Sequence, residues 1–294
     1  MKLRFESEIL SLLEGAIDMH IHSAPDLYPR ILNDLDLAGC ASAMGMRAIV
    51  IKNHFFPTAE RASLVSAETG FCVFGGIALN RTVGGFNAEA LEIALKMGAK
   101  IVWMPTLHAR QFLQNKSHVA NLAGALSDAL QGLYLLNEDG ALKECVYPLL
   151  DLIRQHDVIL ATGHISIKEA KVLVKEAGAR GLSKIMVTHP MASFINYSID
   201  DMKEMLDLGA SYLEHVFNDT TRQVSHPIAR RALFDIIKVV GPNHCIASTD
   251  SGQWLNPVPV QQMGIYMKDL ISYGFSSRDI RIMTAENPAR ILNI

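Results

Sequence analysis

Asp18-Met19-His20-Ile21-His22 is the stretch on which the reading of this chain turns. As a β-strand its side chains alternate faces, so Asp18, His20 and His22 project to one side and Met19 and Ile21 to the other. At a rise of roughly 3.3 Å per residue the two imidazoles stand about 7 Å apart, within reach of one metal ion. The pair alone decides little, because a chain with 11 His in 294 residues yields about 0.4 His-x-His pairs by chance. Its meaning comes from what surrounds it.

Eight short apolar runs recur, each ending in a polar or glycine-bearing turn: 16–22, 47–53, 71–78, 99–105, 157–163, 184–189, 210–216 and 244–250. Most are continuous rather than alternating, as strands of a parallel sheet buried on both faces are. Between them lie helical segments. Asn33–Gly45 and Asn87–Gly98 each open on an Asn cap and stop at Gly; Ser166–Gly178 adds a capping box through Glu169 and takes Gly178 as its stop. Start-to-start spacings are 31, 24, 28, 58, 27, 26 and 34 residues. One strand–helix unit needs about 25–30, so every connection holds one helix and the fourth carries an insertion. That insertion, about 107–145, includes a small hairpin at 133–142 turning at Glu138-Asp139-Gly140, placed where it would roof a site. The expected fold is α/β: one (β/α)₈ barrel over residues 1–294, with a doubly wound open sheet as the alternative.

Composition narrows the function. The chain is 49% hydrophobic with a net charge of −3, and its Lys and Arg are scattered rather than clustered. That pattern gives no electrostatic footprint for nucleic acid and favours a small-molecule partner. The first 14 residues carry three Glu and no unbroken apolar stretch, and no segment reaches 18 apolar residues, so neither a signal peptide nor a membrane span is expected. Four well-separated Cys without a CxxC read as buried free thiols in a reducing, cytoplasmic compartment. Exposed barrel helices leave association into a homo-oligomer open.

Chemistry in such a barrel sits at the carboxyl ends of the strands. His20 and His22 close strand one, His54 follows strand two, and His164, His189 and His215 end strands five, six and seven; together they are six of the 11 histidines. Asp250 stands at the end of strand eight. Four imidazoles and one carboxylate at a barrel mouth suit a divalent ion, zinc first, with Mn, Fe or Ni as alternatives. Isolated histidines such as His156, His226 and His244 read as surface or packing residues.

These residues resemble the amidohydrolase superfamily of metal-dependent (β/α)₈ enzymes. His-x-His is His20 and His22; the single histidines are His164 in Ala161-Thr162-Gly163-His164 and His189 in Val187-Thr188-His189-Pro190; the strand-eight acid is Asp250; Asn287-Pro288-Ala289-Arg290 matches the segment that often ends these chains. The resemblance implies hydrolysis of a C–N or C–O bond in a small amide, cyclic amide or lactone by metal-activated water, with Asp250 as general base and then acid. Strand four, Ile101–Pro105, lacks the Lys or Glu that bridges two metals in the family; the nearest substitute is Lys52. Two readings stay open: a carbamylated Lys52 bridging two ions, or an ordinary cation beside one. His54, Arg30, Arg81, His215 and Asn218 are the candidate substrate contacts, with Arg110 and Arg222 as further arginines in post-strand loops. Alternatives in function are a mononuclear decarboxylase or hydratase of the same superfamily, and a metal-free lyase using Lys52 as a Schiff-base nucleophile.

Overall fold

A computed structural model describes residues 5–115 and 131–294. Its strands are β1 (Ile17–Ile21), β2 (Ala48–Ile51), β3 (Cys72–Phe74), β4 (Gly76–Ala78), β5 (Ile101–Trp103), β6 (Ile159–Ala161), β7 (Ile185–Val187), β8 (Tyr212–Val216) and β9 (Cys245–Ser248). All pair in parallel, in the orders β1-β2-β3 and β4-β5-β6-β7-β8-β9. The two arcs join at both edges. At one, only Gly75 separates β3 from β4. At the other, His22 N donates to Ser251 O at 2.8 Å and Asp250 N donates to His20 O at 2.8 Å. The sheet therefore closes into the expected barrel, and the open-sheet alternative falls.

Nine strand segments fill eight barrel positions because the third run splits. Thr58, which begins the helix Ala59–Thr69, enters the gap: its backbone N donates to Gly76 O and its hydroxyl accepts from Gly76 N, both at 2.9 Å. A Cβ on Gly75 would lie 2.2 Å from Thr58 O, so only glycine admits this approach.

Inside the barrel Ile17, Met19, Val50, Trp103, Ala161, Met186, Tyr212 and Ile246 form one apolar cluster, plugged by Ile291 and Leu292 of the last helix, Asn287–Leu292. A second, larger cluster lies between the strands and the helices and takes in Ile49, Ile51, Val102, Leu160, Val187 and Leu213. The regular alternation expected of residues 18–22 breaks here. The β1–β2 register shifts between Asp18 and Ile21, so Met19 packs inside with Ile17 instead of opposite His20. Such an irregularity re-aims side chains at the end of a strand. Asp18 leaves the inward face and turns to the neighbouring strand: its carboxylate accepts from Thr249 N at 3.0 Å, Thr249 Oγ1 at 2.5 Å and His20 N at 3.2 Å.

The helix caps behave as their residues dictate. Asn33 caps Asp34–Ala43 by accepting from Asp36 N, and Asn87 caps Ala88–Lys96. Ser166 and Glu169 form the capping box of Ile167–Ala179. Gly178 lies within that helix and is not its stop. Glu169 is buried, and its other oxygen accepts from Leu135 N at 2.8 Å, which ties the insertion to the barrel. Leu136 and Leu142 form the hairpin's antiparallel bridge, with Asn137 N on Ala141 O at 2.9 Å; residues 116–130 of the insertion lie outside the described residues. Of the four thiols only Cys245 is buried, while Cys72 and Cys145 are exposed, which corrects the expectation of buried cysteines. Among the described residues no helix is long and apolar enough to cross a membrane.

Thr249→Val should cost about 1–3 kcal/mol, because it removes a donor from the buried Asp18 carboxylate at the barrel seam. Urea denaturation measures it. An unchanged midpoint would show that the seam does not depend on this hydroxyl.

Candidate metal centre

The carboxyl ends of the strands gather five imidazoles into a closed ring. Consecutive ring centroids are 5.4 Å apart for His20 and His22, 4.8 Å for His22 and His54, 5.9 Å for His54 and His164, 5.0 Å for His164 and His189, and 5.9 Å for His189 and His20. All five are buried and line one cavity, which also receives Asp250, Lys52 and Arg30. The cavity opens at the barrel mouth, where chemistry in such a barrel sits.

Donor spacing tests whether an ion fits. Two ligands bound tetrahedrally at zinc–nitrogen distances lie about 3.3 Å from each other. Asp250 Oδ1 is 3.3 Å from His20 Nε2 and 3.1 Å from His22 Nε2, and one donor atom from each of these three residues falls within 4.8 Å of the others. Across the cavity His164 Nε2 and His189 Nε2 approach to 3.2 Å. Burial holds every imidazole of the ring below its ordinary pKa, His20 and His189 at about 3 and the other three well below the usual value. Their ring nitrogens are therefore neutral near pH 7 and offer lone pairs. The donor set fits a divalent ion.

Two backbone features support the same assignment. His189 and Asp250 adopt φ of 22° and 49°, a left-handed region that costs a non-glycine residue of order 1–3 kcal/mol. Strain at two facing strand ends marks residues whose direction matters. A Cβ on Gly252 would sit 1.8 Å from His22 O, so glycine is required where this loop passes the His22 backbone.

Neighbouring groups fix the donors. Glu214, buried inside the barrel, holds His20 Nδ1 at 3.3 Å, leaving Nε2 for the cavity. A carboxylate on the far nitrogen orients a metal-binding imidazole and raises its basicity. Asp250 Oδ2 accepts from Asn218 Nδ2 at 3.3 Å, and Asn218 is held in turn by Asn256 at 2.8 Å. His54 Nδ1 pairs with Thr106 Oγ1 at 2.9 Å, and Asn80 braces that hydroxyl. Lys52 Nζ lies 2.9 Å from His20 Nε2 and 5.1 Å from the Trp103 ring. Burial pulls the Lys52 amine down and pushes the Glu214 carboxyl up.

Several expected contacts are placed elsewhere. Arg81 is exposed and its guanidinium donates to Gln131 O, away from the cavity. Arg110 stacks on Tyr134 at 4.0 Å, and Arg222 is exposed. Alternation along β8 sends Tyr212 and Glu214 inward, so His215 faces away from the cavity; both its nitrogens are buried without a partner. Asn218 serves Asp250 rather than lining the cavity. Glu214, Asp219, Phe112 and Phe194 also belong to the site, and no motif in the sequence marks the last three. A lone acid inside an apolar strand was the available signal for Glu214.

A family of unknown function, DUF6282, matches residues 15–214. The chain belongs to this family. The DUF6282 match takes in every imidazole of the ring together with Lys52 and Glu214, and ends before Asp250. No curated protein matches the chain in sequence. Among solved structures, the DUF6282 chain is similar to an amidohydrolase from Pseudomonas aeruginosa, at 12% identity and a TM-score of 0.64 over 97% of this chain and 98% of that one. A probable 2-pyrone-4,6-dicarboxylic acid hydrolase from Acinetobacter baumannii follows at 13%, 0.59, 95% and 100%. An organophosphorus hydrolase from Deinococcus radiodurans gives 13%, 0.57, 96% and 93%. The barrel is thus the fold of amidohydrolase-type proteins, in agreement with the sequence resemblance.

Glu214→Gln should weaken zinc binding about 10–100-fold while leaving the fold intact. Competition with a chromophoric chelator reads the affinity directly. Equal affinities in the two proteins would show that Glu214 does not prepare His20 as a ligand.

Proposed function

We infer that the chain is a metal-dependent hydrolase of a small amide, cyclic amide or lactone. The observation that carries this reading is the convergence of His20, His22 and Asp250 within 4.8 Å, on one side of a ring of buried neutral imidazoles. His20, His22 and Asp250 would hold a divalent ion, zinc first, with His164 and His189 as the facing pair of donors. Such an ion lowers the pKa of water toward neutrality and polarises the carbonyl under attack.

The chain's own residues supply the remainder. Asn218 fixes the Asp250 carboxylate through Oδ2, so the group that meets the imidazoles is also positioned to accept a proton. Asp250 takes the proton of the attacking water and returns it to the leaving nitrogen or oxygen. Glu214 keeps His20 in the tautomer that presents Nε2. Phe112 and Phe194, 5.1 Å apart and edge-on, wall the cavity beside His164 and limit water there. The Schiff-base alternative is disfavoured, because the Lys52 amine is engaged with His20 inside the ring rather than presented to the cavity mouth. Four unpaired thiols support a cytoplasmic setting.

Asp250→Asn should lower kcat about 10²–10⁴-fold on whichever lactone or amide of a small panel the zinc-loaded protein turns over, with a much smaller change in KM. Turnover within a few-fold of the wild type would remove Asp250 from the proton-transfer role.

A further inference from the structure

Of the arginines considered for the substrate, only Arg30 reaches the cavity. It does so in an unusual state for a surface-loop residue. Its side chain is 3% exposed, and its Nε donates to Asp26 Oδ2 at 2.8 Å from a carboxylate that is itself fully buried. The backbone is pinned as well: Arg30 bridges antiparallel to Gln253, and Ile31 N donates to Gly252 O at 3.0 Å. The loop after β1 and the loop after β9 are thereby zipped together, and Gln253 reaches back to Asp250 O at 2.8 Å. The guanidinium lines the same cavity as His20, His22 and His54.

With Nε spent on Asp26, the end-on face made by the two Nη groups takes no protein acceptor among the described residues. A planar pair of N–H donors at that face matches the two oxygens of a carboxylate. Lys52, the other cation lining the cavity, is engaged with His20 and lies deeper. The opposite wall is apolar: Phe112 and Phe194 pack on His164 at centroid distances of 5.3 and 4.8 Å, and Val224 joins them at the mouth.

We propose that this cavity selects a small monocarboxylate, binding its carboxylate end-on through the two Nη groups of Arg30 and laying its apolar body on Phe112 and Phe194. The inference rests on the hydrolase reading for where the scissile bond lies, and on Arg30 alone for which molecules enter. Arg30 is then a specificity-determining residue.

Phenylacetate and its neutral isostere phenylacetamide probe this directly by titration calorimetry against the metal-loaded protein. The wild type should bind phenylacetate about 10–100-fold more tightly than phenylacetamide. Arg30→Met should erase the preference, and Phe194→Ala should weaken both ligands alike. Arg30→Gln, which keeps an amide donor for the buried Asp26, carries the same expectation if Arg30→Met fails to fold. A preference that survives in the Arg30 variant, or a wild type that binds neither ligand or both equally, overturns the proposal. Metal content is measured on the same samples. A wild type without tightly bound ion sinks the hydrolase reading and leaves the carboxylate preference standing, whereas a metal-loaded protein without the preference sinks Arg30 alone.

Discussion

The seam between the first and last strands is the constraint on which this structure depends. His20 O receives Asp250 N, and His22 N reaches Ser251 O, so the same two hydrogen bonds that close the barrel also bring the His-x-His pair against the acid from the other end of the chain. Gathering these three side chains and closing the ring are one event. The Asp18 carboxylate stitches the same seam one layer below through Thr249. Its burial, which raises its pKa to about 7, is offset by three donors.

Desolvation then does the electrostatic work. Packing five imidazoles shoulder to shoulder in water would leave a fraction of them protonated; excluding water keeps them all neutral and their lone pairs available. The same exclusion makes each remaining charge count for more. Glu214, Lys52 and Asp250 touch this ring and Arg30 lines the same cavity, so electrostatic interactions among these groups are weakly screened. The cluster of left-handed residues at His189 and Asp250 shows that the chain accepts backbone strain to aim them.

Much of this was legible in the chain itself. Repeated apolar runs pointed to the barrel, and histidines at run ends pointed to the ring, because a strand's carboxyl end opens on the mouth; which side chain of that end turns inward is set by strand phase, and His215 turns away. What escaped depended on local register. The shift in β1 sent Met19 inward and Asp18 aside, and no alternating pattern announces such a break. Thr58 and Gly75 divided the third run through a backbone approach that composition does not encode. Arg81 and Arg30 both follow strands, yet only the loop zipped to the β9 side carries its guanidinium inward; His215 and Glu214 are neighbours, and strand phase alone decided which one met His20.

Glu169 has a role that goes past its helix cap. One oxygen accepts from the Ser166 hydroxyl and backbone, while the other receives the Leu135 amide from the insertion. A single carboxylate thus couples the first turn of a barrel helix to the segment that brings Phe112 to the cavity. A helix start on the barrel's outer ring and the insertion that walls the cavity therefore share one buried carboxylate, so loss of that single side chain would leave both the helix's first turn and the Leu135 amide without their acceptor.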